Sequence, residues 1–258
     1  MQHMSLSNRR ILVTRPAGQA ETLCAAISAC GGEPLRFPVL QISAPTDTRE
    51  LAAACETLND FDLAFFVSPN AIQYALDYIL AHRSWPAGLG VATVGESSAR
   101  ALHERGFEAV IAPSSGFDSE SVLALPEFSA QAVRGRRVVI FRGDGGRELL
   151  GERLTELQAD VTYVQCYHRS CPELDPEPIV AMGREGRLDA ITLTSSEGVR
   201  NFADMLRSYK LSVLHAVPVF VPHPRIAEFA RAGGFSDVVE TGPGDRGLIL
   251  ALQARLGH

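Results

Sequence analysis

Six polar residues in two sets carry most of the chemistry in this sequence. Arg15, Ser68 and Ser97 form one set, and Arg142, Ser195 and His223 form the other. Each follows a short apolar run of the kind that builds a buried strand. Guanidinium groups hold carboxylate or phosphate through charge-assisted hydrogen bonds, and hydroxyls donate or accept as required. Neither Ser68 nor Ser195 lies in a G-x-S-x-G nucleophile elbow. Each reads as a helix N-cap, or as a cap that also shows its hydroxyl to a ligand. Gly143-Asp144-Gly145-Gly146-Arg147 resembles a phosphate-binding turn. Glu148 replaces the third glycine of G-x-G-x-x-G and there is no Walker Lys-Ser/Thr, so a dinucleotide site is not expected. A ligand-free βα turn and an anion cradle helped by Arg142 and Arg147 both remain. His82, His103, His168, His215 and His223 show no paired metal-ligand spacing, and there is no Cys–His cluster, so no metal is expected. His223 reads equally as a loop histidine and as a ligand contact. Tyr167, taken alone, is a packing tyrosine whose phenol can also donate a proton.

These residues need elements to hold them, and the pattern supplies strands alternating with helices. Apolar runs at Arg10–Thr14, Leu35–Leu40, Leu63–Val67, Val91–Val94 and Ala109–Ala112 read as strands. So do Arg137–Phe141, Val161–Cys166, Ala190–Thr194, Val217–Val221 and Asp237–Glu240. Between them lie helical stripes such as Ile72, Leu76, Ile79 and Leu80, opened by Ser68-Pro69. Pro126–Arg134 reads as a connector. Alternating apolar strands and helices imply parallel sheets covered on both faces. The polar residues then lie at the carboxyl ends of strands, where such sheets bind ligands. Helix N-termini, with free N–H groups and positive dipole ends, lie at the same edge. Two such edges facing one another would form a cleft suited to a polyanion.

The chain also repeats itself. A shift of 127 places Arg10 on Arg137, Arg15 on Arg142, Gly18 on Gly145, Leu23 on Leu150, Asp62 on Asp189 and Ser68 on Ser195. Towards the C-terminus a shift of 128 pairs Ala99 with Ala227 and Gly106-Phe107 with Gly234-Phe235. A nearly constant offset over most of the chain implies an internal duplication.

Composition sets outer bounds. The 258 residues suffice for two domains, with 46% hydrophobic and 21% charged residues. The net charge of −6 argues against a general nucleic-acid binder, though a local site can be positive within an acidic protein. Five cysteines without a C-x-x-C suggest a reducing, cytoplasmic setting. No apolar run approaches the roughly 20 residues of a membrane span, and Met1–Arg10 lacks the apolar core of a signal peptide.

Several segments together resemble the uroporphyrinogen-III synthase family. They are Ile11–Pro16, Phe66-Val67-Ser68-Pro69-Asn70-Ala71, Val94-Gly95-Glu96-Ser97-Ser98-Ala99, Val164–Arg169 and Leu193-Thr194-Ser195-Ser196. They match in order, at the right spacing, over nearly the whole chain. The resemblance implies an α/β fold of two flavodoxin-like parallel-sheet domains with exchanged first βαβ units and a cleft between them. Residues 1–40 plus 171–258 would form one domain and 41–170 the other, joined by hinge strands near 37–43 and 164–170. It implies a cofactor-free lyase that closes hydroxymethylbilane, a linear tetrapyrrole with eight carboxylates, with inversion of ring D and loss of water. The expected partner is that small molecule, received from the preceding pathway enzyme by a monomer, with no nucleic acid and no membrane.

In this frame Tyr167 is the candidate to assist hydroxyl departure. Arg15, Ser68, Asn70, Ser97, Arg142, Gly143, Ser195, Ser196, His223 and Arg225 would hold carboxylates. Two departures stand out. Asn70 occupies a position where many members have Arg, and His223-Pro224-Arg225-Ile226-Ala227 replaces a Thr-rich segment. The competing readings are a non-catalytic hinged module that binds a small polyanion, and a different isomerase or lyase acting on another polyanion.

Overall fold

The computed structural model describes residues 5–116, 118–209, 214 and 216–257. His215 and Met1–Met4 therefore lie outside the described residues. In chain order the first elements are β1 (Arg10–Val13), α1 (Glu21–Ala29), β2 (Glu33–Arg36), β3 (Gln41–Ser43) and α2 (Arg49–Glu56). Next come β4 (Leu63–Phe66), α3 (Pro69–His82), β5 (Gly90–Thr93), α4 (Glu96–Glu104), β6 (Val110–Ile111), α5 (Ser119–Leu123) and α6 (Ala130–Val133). They continue with β7 (Arg137–Gly143), α7 (Leu149–Glu156), β8 (Asp160–Ser170), α8 (Glu177–Arg184) and β9 (Ala190–Thr192). The last are α9 (Ser196–Met205), β10 (Val219–Val221), α10 (Pro224–Ala232), β11 (Val238–Glu240) and α11 (Gly244–Leu256).

The chain divides into two compact units. One comprises Met1–Gln41 with Ser170–His258, and the other Ile42–Arg169. The first contains a five-stranded sheet of order β11-β10-β9-β1-β2, and the second a six-stranded sheet of order β3-β8-β7-β4-β5-β6. All four pairings of the first sheet are parallel, as are those from β8 through β6 in the second.

The registers repeat. Arg10 faces Glu33 as Arg137 faces Asp160, and Ile11 faces Ala190 as Val138 faces Leu63. Val219 faces Val238 as Val91 faces Val110. The strand entrances share a device too. The Asp189 carboxylate accepts the Arg10 N–H at 2.9 Å and Arg9 Nη1 at 3.0 Å, and Asp62 accepts the Arg137 N–H at 2.8 Å. We expect Asp189→Ala to lower unfolding stability by about 1–2 kcal/mol. Asp189→Asn, which keeps an acceptor, should cost less. Urea denaturation would measure both, and equal losses would deny the carboxylate its role.

Period-two alternation sends successive strand residues to opposite faces. In the first unit Leu12, Ile191, Val219 and Val221 pack on Val199, Phe202, Ala227 and Ala230 of α9 and α10. Ile11, Val13, Ala190 and Phe220 pack on Leu23, Ile27, Leu248 and Leu252 of α1 and α11. In the second unit Phe66, Val139 and Phe141 meet Ile72, Leu76 and Ile79 of α3. Leu63, Phe65, Val138 and Ile140 meet Val122 of α5 and Leu150 and Leu154 of α7. Each large side chain so buried contributes about 1.5–3 kcal/mol.

Three expectations need correction. β2 stops at Arg36 rather than Leu40, because Pro38 has no N–H to continue the ladder. Phe37 and Val39 still donate to Val13 O and Thr14 O. β8 runs four residues past Cys166, to Ser170; β7, which extends to Gly143, partners it as far as Tyr167, and β3 is its neighbour on the other side. Pro126–Arg134 is ordered as a 3-10 turn (Pro126–Phe128) followed by α6, anchored by buried Phe128 and Val133.

Cysteine burial gives a further test. Burial pushes the Cys166 thiol up to about 12, whereas Cys171 is exposed. Iodoacetamide at pH 8 should modify Cys171 well before Cys166, as read by peptide mass mapping. Comparable rates would contradict the packing around Cys166.

Candidate active site

The second unit brings three of the expected residues into one contact. β7 and β8 run in register until Arg142 faces Gln165; Gly143 then faces Tyr167, a one-residue bulge. Bulges re-aim side chains. Here the Tyr167 ring, 4% exposed, lies against Gly143. Its hydroxyl stands 3.3 Å from Ser68 Oγ. The ring also stacks on Tyr74 of α3, with centroids 6.1 Å apart. Ser68 is the N-cap of α3, and its Oγ accepts the Ala71 N–H at 3.2 Å. The serine thus caps its helix and meets the phenol with the same oxygen.

The segment after Tyr167 is tied to the glycine turn. Asp144 N–H donates to Tyr167 O at 3.2 Å, and the Asp144 carboxylate accepts the Arg169 N–H at 3.0 Å. Arg169 Nη2 returns a bond to Asp144 O at 2.9 Å, and His168 Nδ1 lies 3.6 Å from the same carboxylate. Asp144 therefore spends its charge inside the protein, which shifts the Gly143–Arg147 turn away from a pure anion cradle.

Arg142 lies elsewhere. It alternates with Phe141 and Gly143, so its side chain leaves the opposite sheet face from Tyr167. Its guanidinium sits 4.9 Å from the centre of the Tyr163 ring and 3.8 Å from Glu148. Asn70 is the second residue of α3 and half-buried, and Ser97 is exposed in the first turn of α4.

The first unit supplies the remaining five. Arg15, just past β1, pairs with Asp245 at 2.5 Å. Ser195 caps α9 by accepting the Gly198 N–H at 2.9 Å, and Ser196 opens that helix. His223 caps α10, its Nδ1 accepting the Arg225 N–H at 3.1 Å. Arg225 is exposed in the first turn of α10. The caps of α3 and α9 are thus equivalent, while that of α10 uses an imidazole.

Sequence reasoning missed Tyr74, Asp144 as a clamp, Tyr163 and Asp245. Only Asp144 carried a signal, as the charged residue inside a glycine-rich turn. The others arrive by packing from distant positions. Among the described residues no group of three or more His, Cys, Asp or Glu side chains could hold a metal ion, and no helix is long and apolar enough to cross a membrane.

Fold and site together define an α/β protein of two parallel-sheet units whose strand ends gather hydroxyls, arginines and helix N-termini. Residues 21–249 match the family model described as uroporphyrinogen-III synthase HemD. The uroporphyrinogen-III synthase of Escherichia coli is 30% identical over 246 residues, 94% of this chain and 99% of that one. That of Salmonella typhimurium is 32% identical over 247 residues, with the same coverage. Of solved structures, a mutant uroporphyrinogen III synthase from Thermus thermophilus superposes with a TM-score of 0.62 at 18% identity, covering 96% of this chain and all of that one. The Helicobacter pylori enzyme gives 0.55 at 14% identity, covering 96% and 99%. The chain belongs to the uroporphyrinogen-III synthase family.

Proposed function

We propose that this protein is a uroporphyrinogen-III synthase, a cofactor-independent lyase that cyclises hydroxymethylbilane with inversion of ring D and loss of water. The match of residues 21–249 to the family model carries this reading. It favours the synthase over a non-catalytic polyanion-binding module, and the Tyr167–Ser68 hydroxyl pair gives the reading a chemical centre.

The chemistry demands little from the protein beyond placement. The hydroxymethyl carbon–oxygen bond breaks, water leaves and an azafulvene forms. Attack through the substituted carbon of ring D gives a spiro-pyrrolenine, which fragments and recloses inverted. A proton delivered to the departing hydroxyl assists the first step. The Tyr167 phenol supplies it, with Ser68 as its hydrogen-bond neighbour. Arg15, Asn70, Ser97, Arg142, Gly143, Ser195, Ser196, His223 and Arg225 are the candidates to hold substrate carboxylates. Positioning of this kind can supply several kcal/mol of the barrier reduction.

The same reading treats the chain as an internal duplication of a flavodoxin-like unit. Counted from β1 and from β7, both sheets contain the order 2-1-3-4-5, and the 127-residue offset supports it. The crossings at Gln41–Ile42 and Arg169–Ser170 would be the hinge of this reading. The reading also takes the protein to act as a cytoplasmic monomer.

The test is product analysis. Hydroxymethylbilane cyclises spontaneously to isomer I, so isomer III above the blank supports the synthase. Isomer I alone, from folded protein, would sink it. Tyr167→Phe should lower turnover by about tenfold to a hundredfold. That is at or below the low end of the roughly 10²–10⁴ typical of a general acid, because the other donors remain. Unchanged kinetics would remove the phenol from the mechanism.

A further inference from the structure

A cavity of about 270 Å³ opens beside the end of β7, on the sheet face opposite Tyr167. Its floor is apolar: Phe65, Ile140 and Leu150 are buried, and Val67 and Val94 adjoin them. Its rim carries Arg142 and Arg147. The cavity lies where the strand order reverses, between β7 and β4, the place at which open parallel sheets bind ligands.

Both guanidiniums have capacity to spare. Arg142 meets Glu148 at 3.8 Å, and Arg147 meets Glu120 at 3.7 Å, both beyond hydrogen-bond reach. The Arg142 side chain is only 13% exposed and lies over the Tyr163 ring, so its plane is fixed. Asp118 also lines the cavity; its carboxylate accepts Ser121 N–H at 2.9 Å and Ser121 Oγ–H at 2.7 Å and lies close enough to Arg147 to feel its charge, so that Arg147 faces it as well as Glu120. Size decides what fits. A dry cavity of about 150 Å³ already holds benzene, and sites for drug-sized ligands begin near roughly 300 Å³. One ring with a short arm fits; a tetrapyrrole does not.

We propose that this cavity binds one aromatic ring bearing a carboxylate arm, the ring on the Phe65–Ile140–Leu150 floor and the carboxylate at Arg142 and Arg147. Such a ring can be a free monocyclic acid or one ring of a larger substrate.

The probe is 3-phenylpropionate, titrated into the full chain by calorimetry and protein NMR. Binding should weaken about tenfold or more in Arg142→Gln and in Arg147→Gln, and 3-phenylpropanol should bind at least about tenfold more weakly than the acid. Arg147 is 57% exposed, so its variant does not threaten folding. Inorganic phosphate alone should not compete. No binding, binding indifferent to both arginines, or equal affinity for the alcohol would overturn the proposal. Inhibition kinetics with hydroxymethylbilane then separate the sources. Competition marks a ring subsite of the substrate, and mixed or absent inhibition with retained binding marks a separate acid site. Only this last arm rests on the synthase reading. The titration needs no turnover, so either idea can fail alone.

Discussion

Gly143→Ala should cost this protein about tenfold to a hundredfold in turnover, no more than Tyr167→Phe, while leaving it folded. A Cβ at Gly143 would lie 2.6 Å from Tyr167 Cε2 and Cζ and 3.0 Å from its hydroxyl. The ring must move. It cannot slide freely, because Tyr74 stacks on it and Ser68 stands at its hydroxyl. The Gly143 backbone does not need positive φ, so the loss comes from steric displacement rather than from backbone strain. Displacing a catalytic group by about 1 Å can lower rate on the order of 10²-fold, and overpacking costs about 1–3 kcal/mol of stability. The control is a double-mutant cycle. In a Tyr167→Phe background Gly143→Ala should lose most of its kinetic effect, because neighbours that act together are not additive. An undiminished loss in that background would show that Gly143 acts on the substrate itself.

The sequence made the recurring parts legible. Helix N-caps are local devices, so Ser68-Pro69 and Ser195-Ser196 could be placed from type and spacing alone. The strand-end address of Arg15, Arg142 and His223 followed from the apolar runs before them. The 127-residue offset set Arg10 on Arg137, and these two enter their sheets opposite Glu33 and Asp160, since register is set by which face is apolar. What stayed hidden was non-local. The bulge at Gly143 depends on how β8 meets β7, and nothing near Gly143 encodes it. Tyr74 reaches Tyr167 through the packing of α3 on the sheet. Arg142 and Tyr167 looked like members of one constellation, yet a single-residue alternation sends them to opposite faces. Asp144 looked like part of an anion site, but its carboxylate is engaged with the Arg169 backbone. Motif reading placed these residues at strand ends; side-chain direction divides them between two sheet faces.

Phe66→Ala should be the most destabilising single change near the site, by about 3–5 kcal/mol. Phe66 is fully buried two residues before Ser68. Its ring stacks on Phe141 at 5.1 Å and tilts towards Trp85 at 6.1 Å. Truncation leaves a cavity between β4, β7 and the Trp85 loop, and α3 above it cannot collapse without dragging the Ser68 cap. Such a loss is a large share of the roughly 5–15 kcal/mol that holds a typical domain, and should lower Tm by about 10 °C. Trp85 is the chain's one tryptophan, so its fluorescence follows the melting of this region directly. Phe66→Leu should lose less than half as much. Well below Tm the Ala variant should retain the parent's product selectivity, because Tyr167 also packs against Gly143 of β7, outside α3. A midpoint within 2–3 °C of the parent, by the same conversion under about 1 kcal/mol, would show that the aromatic cluster adds little. A loss of selectivity in fully folded protein would show instead that the core beneath Ser68 sets the geometry of the hydroxyl pair.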